Sequence, residues 1–302
     1  MKVTYSAPGR AGIIGNPSDM YGGCVISCTI PARNRCTIEE SKQWELPEDT
    51  RLWDAAINRL PLPADQKYKV TWNTDVPRSS GLSGSTALLA ATVASIQIVR
   101  GEELPADMRE FAELVRDIEL REAGIVCGYQ DAYMCVLGGL SYLDFHGKHP
   151  IDSGPLGTLL PADLPRQFLL VTTGVERLSG SVHGPIRDRW LSGDKQVKEH
   201  IKELANLARA TKIGITLEVL ADAMNRNFQI IQELGGSGDD IDRLVQHCLN
   251  SGAKAAKLAG AGMGGTVIAL CDNPTELQQR LTKIGYTKFM QPVPTNGLNR
   301  EA

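Results

Sequence analysis

The chain has 302 residues, 42% hydrophobic and 22% charged, with 32 Lys and Arg against 35 Asp and Glu for a formal net charge of −3. A single core stops growing near ~250–300 residues, so this length fits a large core divided between two lobes. The slightly acidic balance argues against nucleic acid as a partner, and no segment reaches the ~18 uninterrupted apolar residues of a membrane span. The opening stretch Met1-Lys2-Val3-Thr4-Tyr5-Ser6 lacks the apolar run of a signal peptide, so a cytoplasmic location is expected. The cysteines, Cys24, Cys28, Cys36, Cys127, Cys135, Cys248 and Cys271, are odd in number and form no C-x-x-C pair, which suggests neither a disulfide framework nor a zinc site. The histidines show no metal-ligand spacing either.

In chain order, the predicted elements begin with β-branched runs at 25–30 and 35–39, separated by Pro31, and a third strand at 68–72. The segment from Val76 to Ala90 then reads as a small-residue loop opening directly into an apolar helix over 85–100. Ala87, Ala90, Ala91 and Ala94 predict that this helix packs closely on more than one side. Helices follow at 107–122 and from about 130, then a strand at 140–145. Residues 150–165 read as a linker ahead of a strand at 168–172, which places the lobe boundary there, with lobes at 1–155 and 156–302. The second lobe is predicted to hold helices at 195–210, 217–234, 239–251 and 274–284, and a strand–glycine turn–strand over 255–271.

Two glycine-bearing segments carry the chemistry. In the first, Pro77, Ser79, Ser80, Gly81, Leu82, Ser83, Gly84, Ser85 and Thr86 combine backbone N–H groups, a helix N-terminus and hydroxyls, the ingredients of a phosphate site. A plain helix cap would need only one Ser or Thr. The second, Gly260-Ala261-Gly262-Met263-Gly264-Gly265, satisfies G-x-G-x-x-G. It leads into the β-branched run Thr266-Val267-Ile268 instead of the helix that a dinucleotide fold requires, so that reading is poor. Such a hairpin can equally place backbone beside a ligand or turn a corner. No Walker A lysine pattern occurs, so the phosphate loop is of another kind.

Three separated motifs resemble those of the GHMP small-molecule kinases. Ala7-Pro8-Gly9-Arg10 with Gly15, Asp19, Gly22 and Gly23 is similar to the first, Pro77 through Ala87 to the second, and Lys257 through Gly265 to the third, in family order. Within that family, Gly15-Asn16-Pro17-Ser18-Asp19, Gly81-Leu82-Ser83-Gly84-Ser85, Ser181-Val182-His183 with Arg187-Asp188-Arg189-Trp190, and Met224-Asn225-Arg226-Asn227-Phe228 resemble the plant-type glucuronokinases. The resemblance implies an α+β GHMP kinase fold, with an N-terminal lobe like ribosomal protein S5, a ferredoxin-like C-terminal lobe and ATP in the cleft between them. It implies ATP and Mg²⁺ as cofactors, a sugar as substrate, no nucleic acid or membrane partner, and admits a homodimer.

The resemblance also assigns roles. Glu119 with Ser85 is the metal pair, a hard cation needing few protein oxygens beside phosphate, while Glu122 reads as a solvated helix carboxylate. Asp131 would accept or orient the proton of the substrate hydroxyl, and Arg10 would be its cation; otherwise they read as a dipole partner and a surface ion pair. Asn16, Asp19, Tyr21, His183, Arg187, Arg189 and Gly262 would bind substrate. Asp19 otherwise reads as an Asx turn. Asn16 stands where galactokinases carry Glu, and a neutral amide there suits a substrate with its own negative charge. Arg187 and Arg189, two apart, could hold a carboxylate or be solvated. The implied reaction is glucuronate to glucuronate 1-phosphate. Another family kinase, acting on a neutral sugar or mevalonate, and a non-catalytic ligand sensor are the alternatives.

Overall fold

The structure, a computed structural model, describes residues 1–151, 154–174, 180–260 and 265–301. Two antiparallel sheets organise them, each covered by helices, as the α+β expectation requires. The first sheet runs β10-β1-β2-β4-β5, with β3 also paired to β2. Its strands are β1 (Lys2–Ile14), β2 (Cys24–Ser41), β3 (Lys67–Thr74), β4 (Leu140–Asp144), β5 (Thr158–Pro161) and β10 (Asn299–Glu301). The second, in the order β7-β8-β6-β9, comprises β6 (Phe168–Thr172), β7 (Ala255–Leu258), β8 (Thr266–Leu270) and β9 (Phe289–Met290).

Helix α2 (Gly84–Val99) lies on β1 and β2 and touches α3 (Met108–Arg121) and α4 (Gln130–Leu137). It is buried almost all round, as its alanines predicted. The second sheet carries α7 (Leu217–Glu233) and α8 (Asp239–Asn250) over β7, and α9 (Pro274–Lys283) over β6. Helix α6 (Lys195–Ala210) reaches back to β2. All seven cysteines are free and buried, and among the described residues no helix is long and apolar enough to cross a membrane.

Several elements differ from expectation, each for a physical reason. The runs at 25–30 and 35–39 form one strand. Pro31 lies inside a bulge, where β2 residues between Thr29 and Arg33 oppose Gly9 alone, so its missing N–H costs no ladder bond. Strand β1 went unpredicted because Pro8, Gly9 and Gly12 mask a β pattern that two register shifts accommodate. Helix α1 (Arg51–Arg59) is short, burying only Trp53, Ala55 and Ala56. Helix α5 (Gly180–Leu191) carries Pro185 within it. The expected linker contains β5, which pairs with β4, so the boundary expected at 155 is crossed by β5 and again by β10, both in the first sheet.

Candidate active site

A cavity of about 1260 Å³ opens beside the loop ahead of α2, larger than the ~300–1,000 Å³ that usually holds one drug-sized ligand and so roomy enough for two. Of the predicted phosphate residues, Pro77, Ser79, Ser80, Gly81, Ser83, Gly84 and Ser85 line it. Leu82 and Thr86 do not. The Leu82 side chain sits in the core and its carbonyl accepts the Arg10 backbone N–H, while the Thr86 hydroxyl donates to Glu119. Two non-glycine residues of the loop, Ser79 (φ 49°) and Ser83 (φ 60°), hold left-handed backbone, a strain that collects where a loop must aim its N–H groups. Ser83 stands at the N-cap position yet makes no capping bond, and its Oγ is buried with no partner among the described residues. The helix therefore presents uncapped N–H groups and an unsatisfied hydroxyl to the cavity, which fits a polyphosphate better than a cap.

Glu119, on α3, reaches the same helix end. One carboxylate oxygen accepts from Ser85 Oγ (3.2 Å) and both accept from Thr86 Oγ1 (2.8 and 3.0 Å). Burial, then the charge of Asp131, raises its pKa to about 7. A buried carboxylate beside a hydroxyl at a phosphate loop is an all-oxygen set of the kind that suits Mg²⁺ completed by phosphates. No cluster of three His, Cys, Asp or Glu able to hold a metal occurs among the described residues. Glu122 instead pairs with Arg59 of α1 at 2.7 Å and does not line the cavity. Ser85→Ala and Glu119→Gln are each expected to raise the Mg²⁺ needed for half-maximal activity. Unchanged Mg²⁺ titrations in both variants would overturn this pairing.

Asp131 lies in the first turn of α4, and Arg10 Nε donates to its Oδ1 at 2.8 Å. The same guanidinium donates through Nη1 to the carbonyls of Gly81 (2.7 Å) and Ala259 (3.3 Å). Arg10, 4% exposed, thus ties the acid to the glycine-rich loop ahead of α2 and to the third motif just after β7, which a surface ion pair would not do. Asp19, predicted as a sugar ligand, accepts the N–H groups of Tyr129 (2.8 Å) and Gln130 (2.9 Å) on Oδ2 and so caps α4. Gly128 is required there, because a Cβ would lie 2.0 Å from that oxygen. Burial raises the Asp19 pKa, against the pull of those two N–H groups. Its residue still lines the cavity next to Asp131.

Asn16 lines the cavity with both ends of its amide engaged: Nδ2 donates to Gly260 O (3.1 Å) and Oδ1 accepts from Lys257 Nζ (2.8 Å). His183 lines it too, its Nδ1 buried without a partner among the described residues, and burial lowers its pKa to about 4, leaving it neutral. Tyr21, Arg187 and Arg189 do not line the cavity. Tyr21 packs at a tilt against Trp190, Arg187 pairs with Asp188 and Arg189 with Asp194, which caps α6. Positions two apart on a helix such as α5 point to different sides, so one carboxylate would meet at most one of the two arginines. Gly262 lies outside the described residues.

The cavity is also bordered by Trp72 of β3, Leu52 of α1, Leu88 of α2, Asp49 and Arg51. None was singled out from sequence. An aromatic residue on a strand leading into the phosphate loop was the available signal, and it suits a flat heterocycle.

An uncapped helix end, an oxygen pair for a cation and an acid bound to a buried arginine, set between two sheets, describe a small-molecule phosphotransferase. The sequence matches the GHMP kinases N terminal domain over residues 51–139 and the GHMP kinases C terminal domain over 196–287. It is 30% identical to probable glucuronokinase 2 of Arabidopsis thaliana, over 94% of this chain and 89% of that protein, and 28% identical to glucuronokinase 1 of the same plant, over 96% and 91%. Mevalonate kinase of Methanothermobacter thermautotrophicus is 25% identical over 90% and 91%. The crystal structure of Lactococcus lactis galactokinase complexed with galactose shares the fold, with a TM-score of 0.77 at 16% identity over 99% of this chain and 95% of that one. The chain belongs to the GHMP kinases, which take their phosphate from ATP.

Proposed function

We propose that the protein phosphorylates a sugar at its anomeric hydroxyl, with glucuronate the substrate and glucuronate 1-phosphate the product. The observation that carries the reaction is the Arg10 bridge, which sets the Asp131 carboxylate beside the phosphate loop. ATP lies with its phosphates on the N–H groups ahead of α2 and its base toward Trp72 and Leu52. The hydroxyl oxygen attacks the γ-phosphorus, the bond to the β–γ bridging oxygen breaks, ADP leaves, and Asp131 takes the hydroxyl proton. Arg10 steadies the carboxylate and offsets charge developing at the transferred group. Ser85 and Glu119 would hold Mg²⁺, which when bound neutralises phosphate charge. The presence of Asp131, Glu119 and Ser85 together in one cavity argues for turnover over a ligand sensor.

The choice of sugar rests on the similarity to proteins named glucuronokinases and on the groups at the acceptor end. His183 offers an unpartnered imidazole nitrogen, and Asn16 brings no charge to repel a uronate. Neither arginine lines the cavity itself; of the two, Arg187 is the one whose charge reaches toward the acceptor groups, through Tyr21. Its partner Asp188 is an exposed sequence neighbour, easily exchanged, and its charge acts on the Tyr21 hydroxyl, which also feels Asp19. Arg187→Ala is expected to raise KM for glucuronate roughly tenfold, the effect of losing a charge-assisted hydrogen bond worth ~1.5–3 kcal/mol, with glucose affected much less. ATP consumption measured across uronates, hexoses, pentoses and mevalonate decides the class. Preference of the wild type for glucose or mevalonate would sink the uronate reading and leave the family assignment standing.

A further inference from the structure

Lys257, on β7, is 0% exposed, and no described carboxylate pairs with it. Its Nζ donates to three oxygens: Leu258 O (2.7 Å), Asn16 Oδ1 (2.8 Å) and Gly12 O (3.4 Å). An ammonium has three N–H donors for three acceptors. A neutral amine has two, and would aim its lone pair at the third oxygen. The nest is therefore built for the cation, although burying an unpaired charge is costly. Among the described residues the charge acting on it is that of Arg10 on β1, which repels it; burial, with that repulsion, lowers its pKa to about 7. The other described groups packed around β7 bring no countercharge to it. Asn227 of α7 is an amide that accepts Gly15 N–H, α8 buries Ile241, Leu244, Val245 and Cys248, and the Cys248 thiol is pushed up to about 12.

The phosphate loop is where a countercharge for Lys257 would come from. The Asn16 amide held by Lys257 donates to Gly260 O, and Gly260 lies so close to the phosphate loop that a Cβ on it would be 2.1 Å from Gly81 O. A polyphosphate on that loop lies across a short bonded path from the ammonium. We propose that Lys257 is a positioning residue that works as the ammonium, holding Asn16 and the start of the second glycine-bearing segment against the phosphate loop and supplying a buried countercharge to the nucleotide's phosphates. It depends on the nucleotide site described above and not on which sugar is used.

Linkage gives the sign. If polyphosphate stabilises the ammonium, binding draws a proton onto Lys257 above pH 7, so affinity falls as pH rises from 7 to 9, by up to about tenfold per unit. Isothermal titration with Mg·ADP alone, no sugar present, in two buffers of different ionisation enthalpy at pH 8 is expected to show uptake of more than about half a proton. Lys257→Met is expected to bind about tenfold more weakly at pH 7 and to lose that uptake, since three acceptors lose their donor. Asn16→Asp places a carboxylate beside the ammonium, so Lys257 is already protonated in the free protein and uptake at pH 8 falls toward zero; this variant decides the matter if Lys257→Met does not fold. No uptake by the wild type, or uptake unchanged in either folded variant, overturns the proposal. Failure of the uronate reading leaves these results untouched.

Discussion

Asp131→Asn is expected to lower kcat by a factor of about 10² or more while leaving the dissociation constant for ATP within a few fold, because a positioned proton acceptor acts on the hydroxyl in the transition state. The substitution keeps size and shape at the first turn of α4 and can still accept from Arg10, so loss of rate reports the missing charge and not a displaced helix. Steady-state rates together with nucleotide titration on the same preparation separate the two quantities. Activity within about threefold of wild type would remove Asp131 from the chemistry, since general acid–base groups contribute far more.

Arg10→Met has the second large effect, and it falls on both activity and stability. The variant deprives Asp131 of its cation and the Gly81 and Ala259 carbonyls of their donor. Removing one partner of a buried pair costs ~3–5 kcal/mol, and the low end applies here because the Asp131 side chain keeps 26% of its exposure. The rate should fall by about 10²–10³, the usual cost of deleting a donor aimed at developing charge. Arg10→Lys should recover stability better than rate, because it restores the charge without the fork that reaches the acid and the loop together. Thermal melts and kcat for the pair of variants check this, and equal activity in Arg10→Met and wild type would dissolve the assigned role.

What could be read from the sequence follows a physical pattern. The glycine-and-hydroxyl loop ahead of α2 was legible because backbone pressed against backbone requires glycine, whereas Arg10, Asp131 and the pairing of Ser85 with Glu119 were picked out through the resemblance to the GHMP kinases, and the structure brings all four to one cavity. The regular helices of the second half were legible from their apolar periodicity. Strand β1 was not, since Pro8 and two bulges erase its alternation. Lys257 was passed over because a lysine beside a glycine turn reads as solvated, and only the fold shows it sealed beneath Asn16. The arginines of α5 were left between carboxylate ligands and solvated charges, since nothing in a segment with Gly184 and Pro185 announced the helix that sends them to different sides. The part of the cavity bordered by Leu52 and Trp72 escaped for a related cause: it is assembled from a short helix and one strand face, neither of which carries a motif.

The order in which the chain visits its two sheets has a consequence for anyone wishing to recombine these enzymes. After building most of the first sheet, the chain returns to it with β5, leaves for the second sheet, and comes back at the end to lay β10 along β1. A cut at residue 155 therefore strips a strand from each flank, baring the backbone of β1 and β4 to other molecules. Chimaeras made to trade acceptor specificity between relatives should exchange an internal cassette beginning after β5 and ending before β10, so that both sheet margins stay with their own parent. Half-for-half fusions are expected to aggregate whatever their active sites contain.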